Sequence, residues 1–338
     1  GNSVSMNYWY FDDISIYTNT NFDLGINVID VPENIACGDL NIGMQVTNYG
    51  LTEINSIEAS YQIDGQEPVV EVFNLDIPSL ESATLDFAEA ANFMPGVSTV
   101  KMELLQVNGT HDDDASDDIL SKEINVHLDF AERIPMIEHF SASTCFPCVQ
   151  VNATMNEFCA AHPDMFTYVK YVTDFPSPGD PYFTQECYVR QYHYNVSGVP
   201  QVFIDGSETE STTPSENEFN NHHHTMAPID IRGTFYTEGN MIHVSVDLMP
   251  YSDLEGLTVY VAVNEKTTTR NVGTNGETEF HHVMMKMLPN ADGTPMNFMA
   301  GETEHLDFSY DMSTTFVEEM NDLEVAVWVE NHAAHFIH

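Results

Sequence analysis

The chain has 338 residues, enough for two or three domains that each bury a core of their own. Its 53 acidic and 9 basic residues give a formal net charge of −44, which repels nucleic acid and anionic lipid and argues against both as partners. Hydrophobic residues make up 42% of the chain, which excludes disorder of the whole, and no apolar run is long enough for a membrane span.

The first segment, residues 1–21, contains an aromatic stretch that reads Tyr-Trp-Tyr-Phe-Asp-Asp-Ile-Ser-Ile-Tyr. Alternating aromatic and polar residues are typical of a β-strand. We interpret the segment as a remnant strand or linker of an upstream domain. An extra edge strand on the following domain is the alternative.

Residues 22–130 consist of short alternating segments separated by turns, with Asp64-Gly65 as a hairpin turn. About seven such strands predict an immunoglobulin-like (Ig-like) β-sandwich. They are expected at 22–28, 40–49, 56–63, 69–75, 83–87, 98–107 and 119–128. The phrase Val-Thr-Asn-Tyr-Gly at 46–50 resembles the cell-adhesion-related Ig-like domains of bacteria, which implies a spacer or binding module.

An acidic hairpin at residues 108–118 concentrates five carboxylates in seven residues. Calcium accepts six to eight oxygen ligands in flexible geometry, so Asp112, Asp114 and Asp117 are candidate calcium ligands. Their spacing does not match an EF-hand loop. A solvated, charged hairpin tip is the alternative.

Residues 136–148 give the clearest indication of a chemical function. Here an apolar strand leads into Cys145-Phe146-Pro147-Cys148 and then into a helix. Two cysteines at this spacing close a small disulfide, and a thiol at a helix N-terminus faces unpaired N–H groups that favour its thiolate. Redox exchange, half of a zinc site and an inactive pair all remain open for such a motif. Glu138, on the incoming strand, would raise the pKa of a thiol if it lay buried beside the sulfurs.

Cys159 and Cys187 lie on the two helices predicted after this motif. They either pair with each other or are buried small hydrophobic side chains. A zinc site built from Cys145, Cys148, Cys159 and Cys187 follows no familiar ligand spacing. Three adjacent histidines at 222–224 point in different directions on a helix and rarely form one metal site. The sequence therefore predicts no metal site here.

The segments after the motif alternate between helix and strand. An apolar stripe at 148–159 predicts a helix, 166–172 a buried strand, 182–194 a second helix, and 215–224 a closing helix. Val199-Pro200 then leads into a β run. With the CxxC motif, this pattern resembles a thioredoxin-like α/β domain over residues 131–227.

The resemblance implies roles for individual residues. Cys145 would be the attacking cysteine, Cys148 the resolving cysteine and Pro200 the cis-proline beside them. Val199, Phe146 and Thr144 would contact a client, and Thr144 stands where many thioredoxins carry tryptophan.

Residues 228–338 return to a β pattern, with strands expected at 229–237, 241–248, 257–264, 303–310 and 323–329. They predict a C-terminal β-sandwich-type domain, in which the Met-rich segment 283–288 forms a short helix or an apolar lip. The Glu-His-Phe at 138–140 and the His-Val-Met-Met-Lys-Met-Leu-Pro at 282–289 resemble the outer-membrane-protein family of Gram-negative bacteria numbered twenty-eight. That resemblance implies a thioredoxin-like core joined to a C-terminal β region, in the outer membrane, the periplasm or the secreted fraction.

The sequence predicts an exported thiol–disulfide exchange protein that acts on protein thiols and disulfides through Cys145 and Cys148. It needs no organic cofactor. The alternative is a cell-surface or secreted binding or adhesion protein, in which the thioredoxin-like fold is a scaffold that does not turn over. Burial and reduction potential of the cysteine pair distinguish the two.

Overall fold

The computed structural model describes residues 20–331, 333–334 and 336–337. The aromatic strand predicted within residues 1–21 therefore lies outside the described residues. The chain divides into two compact units, Gly1–Val126 and His127–His338. No helix in the described part of the chain is both long and apolar enough to cross a membrane.

The described part of the first unit is built of β-strands. They are β1 (Leu24–Asp30), β2 (Asn34–Ala36), β3 (Gly38–Leu40), β4 (Gly43–Asn48), β5 (Ile54–Ile63), β6 (Val69–Ile77), β7 (Ser82–Asp86), β8 (Ala91–Phe93), β9 (Gly96–Val107) and β10 (Ile119–His127). One sheet has the order β1-β4-β7, a second has the order β2-β10-β9-β5-β6, and β3 pairs with β8.

The two larger sheets of this unit share one hydrophobic core. Alternate residues of β4, such as Met44 and Val46, are fully buried, and so are Ile57 of β5 and Met102 of β9. Burying each such side chain contributes about 1.5–3 kcal/mol, which favours an alternation of inward and outward residues along these strands. Bulges in β1 and β5 interrupt the alternation. The β-rich, sandwich-like first domain agrees with the sequence prediction.

The second unit mixes strands and helices. Its elements are β11 (Ala131–Glu132), β12 (Met136–Ser141), α1 (Phe146–Ala161), β13 (Thr167–Val172), α2 (Gln185–His193), β14 (Gln201–Ile204), β15 (Ser207–Glu208), α3 (Glu216–His223), β16 (Met226–Ala227), β17 (Ile229–Glu238), β18 (Met241–Pro250), β19 (Leu254–Thr268), β20 (Phe280–Leu288), β21 (Thr294–Phe298), β22 (Glu304–Asp311), β23 (Leu323–Asn331) and β24 (Phe336–Ile337). Short 3-10 turns lie at Met312–Thr314 and Met320–Asp322.

A long mixed sheet organises this unit, with the order β15-β14-β12-β13-β20-β19-β23-β24 and with β21 added to β19. β12 and β13 are parallel, and β14 runs antiparallel to β12. β17, β18 and β22 form a separate antiparallel sheet. The Met-rich segment 283–288, predicted as a short helix or lip, is instead part of strand β20, because both of its faces are buried inside the sheet.

The boundary predicted at residue 227 falls inside this unit. β20 pairs with β13 through Lys170 and Val283, so the sheet continues from the region 131–227 into the region 228–338. Phe140 and Tyr171 also share one core with Val261 and Met285. The two regions therefore share one core on this face of the sheet, whereas Ile137, Val151 and Phe219 belong to a second core beneath α1.

Helix α1 begins where the sequence predicts it. Cys145 is its N-cap, with the backbone N–H of Cys148 lying 3.2 Å from its Sγ, and Pro147 occupies the first turn, where a missing N–H costs nothing. The buried stripe that includes Val151, Met155 and Phe158 then fixes the helix on the sheet. Helix α3 begins with a complete capping box, in which Ser215 and Glu218 bind each other's backbone N–H groups.

Candidate functional site

The candidate site is the turn between β12 and α1, where Cys145 and Cys148 form a disulfide. Cys145 retains 1% of its accessible surface and Cys148 retains 0%. The Val199–Pro200 peptide bond is cis, and the carbonyl oxygen of Val199 lies 3.5 Å from the Sγ of Cys145. The structure therefore brings together four of the predicted site residues, and it encloses the sulfurs.

The other two predicted client contacts have different environments. Thr144 is buried, and its hydroxyl donates a 2.8 Å hydrogen bond to the carbonyl oxygen of Pro176. Phe146, between the cysteines, is 69% exposed. Thr144 is thus engaged within the protein, whereas Phe146 is accessible to a partner, and contact of either residue with a client stays a prediction.

A covering loop, residues 269–277 between β19 and β20, lies over the cysteine turn. The backbone N–H of Asn275 donates to the carbonyl oxygen of Ser143 at 3.0 Å, and the Asn275 side-chain amide donates to the carbonyl oxygen of Cys145 at 3.2 Å. A Cβ added at Gly273 would lie 2.4 Å from the carbonyl oxygen of Ser143. The loop therefore needs glycine at residue 273 in order to pack this closely.

Both ends of the covering loop are anchored by carboxylates. Near its start, the carboxylate of Glu318 accepts the backbone N–H groups of Thr269 at 2.8 Å and Arg270 at 2.7 Å. At its end, the carboxylate of Glu277 accepts the side-chain amide of Asn152, on α1, at 2.9 Å. No motif in the sequence indicated this loop, because the residues that hold it are distant along the chain. Asn152 and Glu277, for example, are 125 residues apart.

Two buried titratable groups, His139 and Lys170, lie opposite each other on β12 and β13. Burial lowers the pKa of Lys170 to about 8. Burial, together with the charge of Lys170, also holds the pKa of His139 well below its ordinary value, so this imidazole is neutral at pH 7. The Nδ1 of His139 lies 2.6 Å from the hydroxyl oxygen of Tyr168. Lysine within a buried strand was the one signal in the sequence that could have revealed this pair.

Glu138 has a role different from the predicted one. Its carboxylate accepts two hydrogen bonds from Arg190 of α2, at 3.1 and 2.7 Å, and one from the hydroxyl of Tyr171 at 3.0 Å. Arg190 also donates to Glu330 of β23 at 2.9 Å. Because side chains alternate along a strand, Glu138 faces α2, whereas Ile137 faces α1. The predicted tuning of a thiol pKa by Glu138 is therefore replaced by a buried ion-pair network.

The remaining cysteines, Cys37, Cys159 and Cys187, are not joined in disulfides. The alternative in which Cys159 pairs with Cys187 is wrong, because they pack into separate cores beneath α1 and α2. Burial raises the pKa of both thiols to about 11. Within the described residues, no group of three His, Cys, Asp or Glu side chains is placed to hold a metal ion, so the four-cysteine zinc arrangement is not formed.

The carboxylates of the acidic hairpin accept hydrogen bonds from backbone N–H groups of the hairpin itself and of β1. Asp112 accepts the backbone N–H groups of Leu24 at 2.6 Å and Asp114 at 2.8 Å, and Asp114 accepts that of Ser116 at 3.1 Å. The carboxylate of Asp117 lies against Gly25, where a Cβ would be 2.1 Å from its Oδ2. Asp112 and Asp117 therefore lie against β1, whereas Asp114 bonds within the hairpin. Among the described residues, the three candidate calcium ligands do not converge on one metal position.

Asp118, at the end of this hairpin, is expected to make the first unit less stable as the pH rises. Burial, followed by repulsion from Asp112 and Asp117, raises its pKa to about 6. Since the pKa in the folded state exceeds that of the unfolded chain, protonation stabilises the fold, and this contribution is lost as the pH rises through about 6.

The variant Asp118→Asn is expected to raise the free energy of unfolding of this unit by roughly 1 kcal/mol near pH 7.5, because water still partly screens the carboxylate. It should also flatten the pH dependence of this free energy between about pH 4 and 6, the interval between the ordinary pKa of the carboxyl group and the raised one. Hydrogen exchange of peptides from β9 and β10 measures both effects. Asp30→Asn, an exposed change in β1, is the control. Equal pH profiles for Asp118→Asn and the unchanged protein would contradict this assignment.

No protein-family model matches this sequence, and no curated protein matches it either. The predicted membership of the outer-membrane-protein family numbered twenty-eight therefore has no support from these comparisons. Comparison with solved structures does find matches, at low sequence identity.

One match is the CARDB domain of a Pyrococcus furiosus protein, solved in complex with di-metal ions, at 16% identity and a TM-score of 0.28, covering 35% of this chain and 99% of that domain. A domain described as part of a cell surface protein of Methanosarcina acetivorans matches at 16% identity and a TM-score of 0.28, covering 32% of this chain and 93% of that one. A protein from Agrobacterium tumefaciens matches at 13% identity and a TM-score of 0.37, covering 53% and 79%. At these scores and identities, the matches do not assign a function.

Proposed function

We propose that this chain is a cell-surface or secreted binding protein, in which the Cys145–Cys148 disulfide is a closed structural element and not an exchange site. The observation that carries the proposal is the burial of both cysteines, at 1% and 0% exposure, under a loop bonded to the backbone of Cys145. The β-rich architecture of most of the chain is consistent with a binding role.

Burial matters because of the chemistry of exchange. A thiolate attacks one sulfur of a disulfide and displaces the other, so its rate depends on access to the attacked sulfur. Here the Asn275 side chain and the backbone near Gly273 lie over the turn, and the Val199 carbonyl lies beside Cys145. A client thiolate would reach the sulfurs only after the covering loop had opened.

A persistent disulfide also bears on location. Disulfides are stable in extracytoplasmic compartments and are rare where thiols are kept reduced. A net charge of −44 favours solubility and opposes binding to anionic surfaces in any compartment. The disulfide supports an extracytoplasmic location.

Thiol–disulfide exchange is the second candidate, and specific features favour it. Cys145 caps a helix that carries proline in its first turn, and a cis Val199–Pro200 bond lies beside it. The order β15-β14-β12-β13, with β12 and β13 parallel, is the arrangement expected of a thioredoxin-like domain. On this alternative the covering loop must open during every cycle.

The reduction potential of the pair tests the two functions. We expect a value below about −300 mV in glutathione buffers, as for a structural disulfide, and no mixed disulfide trapped by the Cys148→Ser variant. A potential between about −120 and −270 mV, with a client trapped through Cys145, would overturn the proposal and establish exchange. The Cys145→Ser variant is the matched control, since trapping that persists in it comes from another cysteine.

A further inference from the structure

A cavity of about 350 Å³ lies in the second unit, away from the cysteine turn. Strands β17 and β18 form one wall and β23 forms another. The walls include Ile229, Ile231, Phe235, Val244, Val246 and Val327. Cavities that bind small molecules typically measure about 300–1,000 Å³ and have mostly apolar walls with a few polar groups.

The sequence of β17 leaves this cavity open. Gly233 lies at the middle of the strand, opposite Val246, and it places no side chain in the space between the walls. Glycine in a strand interior weakens the strand and often marks the close approach of a ligand or another backbone. Phe235 remains 41% exposed, and Ile231 and Val327 are only half-buried, although all three line the cavity. The cavity therefore offers apolar surface that a ligand can contact.

The charges around the cavity select against an anionic ligand. Arg133 is the one cation among the described lining residues, and its guanidinium already donates to Asp205 at 3.2 Å and to the carbonyl oxygen of Ile337 at 2.8 Å. Asp230 is paired with Arg232 at 2.7 Å. The side chain of Glu132 is 81% exposed and adds a negative charge. An anionic head group would meet repulsion, and its desolvation would not be offset.

We propose that this cavity binds a small, predominantly apolar molecule that carries no negative charge. This proposal adds a class of ligand to the proposed binding function, and it rests on the proposal that the chain is a binding protein. The cavity does not involve the cysteines, so the redox measurement and the binding measurement can fail independently. Burial of the ligand against the valine and isoleucine walls supplies the affinity.

Two fluorescent probes with the same apolar body test the proposal on the intact chain. Diphenylhexatriene is uncharged, and its propionic acid derivative is an anion at neutral pH. We expect the uncharged probe to bind at least about tenfold more tightly, the factor that corresponds to about 1.4 kcal/mol. Measurement at low and at about 0.5 M salt separates repulsion at the cavity from repulsion by the whole chain, because salt screens distant charges most.

Variants then locate the probe. Val327→Phe and Ile231→Phe fill the cavity from opposite walls, and each is expected to weaken binding of the uncharged probe by about tenfold or more. Val72→Phe, at an exposed position of β6 in the other unit, is the matched control and should change nothing. Thermal melting identifies which variants remain folded. Unchanged binding in either folded cavity variant, or equal affinity for the anionic probe in both salts, would overturn the proposal.

Discussion

Replacing Gly273 with alanine is expected to increase the rate at which dithiothreitol reduces the Cys145–Cys148 disulfide by about tenfold or more. The added Cβ would lie 2.4 Å from the backbone carbonyl oxygen of Ser143, and a backbone atom in a packed turn cannot move aside easily. The covering loop must shift outward instead. If the closed state loses about 1.4 kcal/mol relative to an open one, the sulfurs are exposed ten times as often.

The rate is measured by quenching samples with a thiol-alkylating reagent and identifying the labelled cysteine peptides by mass spectrometry. Gly198→Ala is the matched control, because Gly198 lies next to Val199 and a Cβ there would meet nothing within 4 Å. This control should leave the rate unchanged. A Gly273→Ala protein that is reduced as slowly as the control would mean that the covering loop does not limit access.

Replacing Arg190 with methionine is expected to lower the free energy of unfolding of the second unit by about 3–5 kcal/mol. The guanidinium bridges Glu138 and Glu330, both fully buried, and it lies 4.6 Å from the ring centre of Tyr260. Methionine fills a similar volume but leaves Glu138 without its cation and leaves Glu330 with the contact from His193 alone. Removing one partner of a buried ion pair costs more than the pair itself contributes, because the remaining charge stays desolvated.

Urea unfolding followed by the fluorescence of Trp328 measures this effect, in a Trp9→Phe background that removes the second tryptophan. Trp328 is suitable because the Arg190 guanidinium lies 5.5 Å from its ring centre. Arg232→Met is the control, since this side chain is 75% exposed and its ion pair with Asp230 is expected to contribute little. A loss below about 1 kcal/mol for Arg190→Met would show that the network is not a determinant of stability.

The same network sets a pH dependence. Burial alone would raise the pKa of Glu330, but the hydrogen bond from His193 and the charge of Arg190 outweigh it and lower the pKa to about 2. The pKa in the folded state is therefore below that of the unfolded chain. The resulting stability is present above about pH 4.5 and is lost as the pH falls toward 2. Arg190→Met should weaken this acid transition but not abolish it, because the hydrogen bond between His193 and Glu330 remains.

Local patterns were sufficient to predict several elements of this protein. These elements are predicted by signals that involve only a few neighbouring residues, namely turn chemistry, capping and periodicity. The signals are the alternation of residues in the first unit, the CxxC motif followed by a helix, and the polar segment that ends in α3. The disulfide between Cys145 and Cys148 and the proximity of Val199 and Pro200 also followed from the sequence and the resemblance it carried.

Contacts between distant residues decided the remainder. Glu138 lies 52 residues from Arg190 along the chain, and Arg190 lies 140 residues from Glu330. Glycine at residue 273 has no local signature that relates it to Ser143. The sequence by itself therefore determined most of the longer strands, the start of α1 and the Cys145–Cys148 motif, because these depend on neighbouring residues. Only the tertiary structure decided that the disulfide is buried, that Glu138 belongs to an ion-pair network, and that residues 127–338 share one unit, because burial depends on which distant segments pack together.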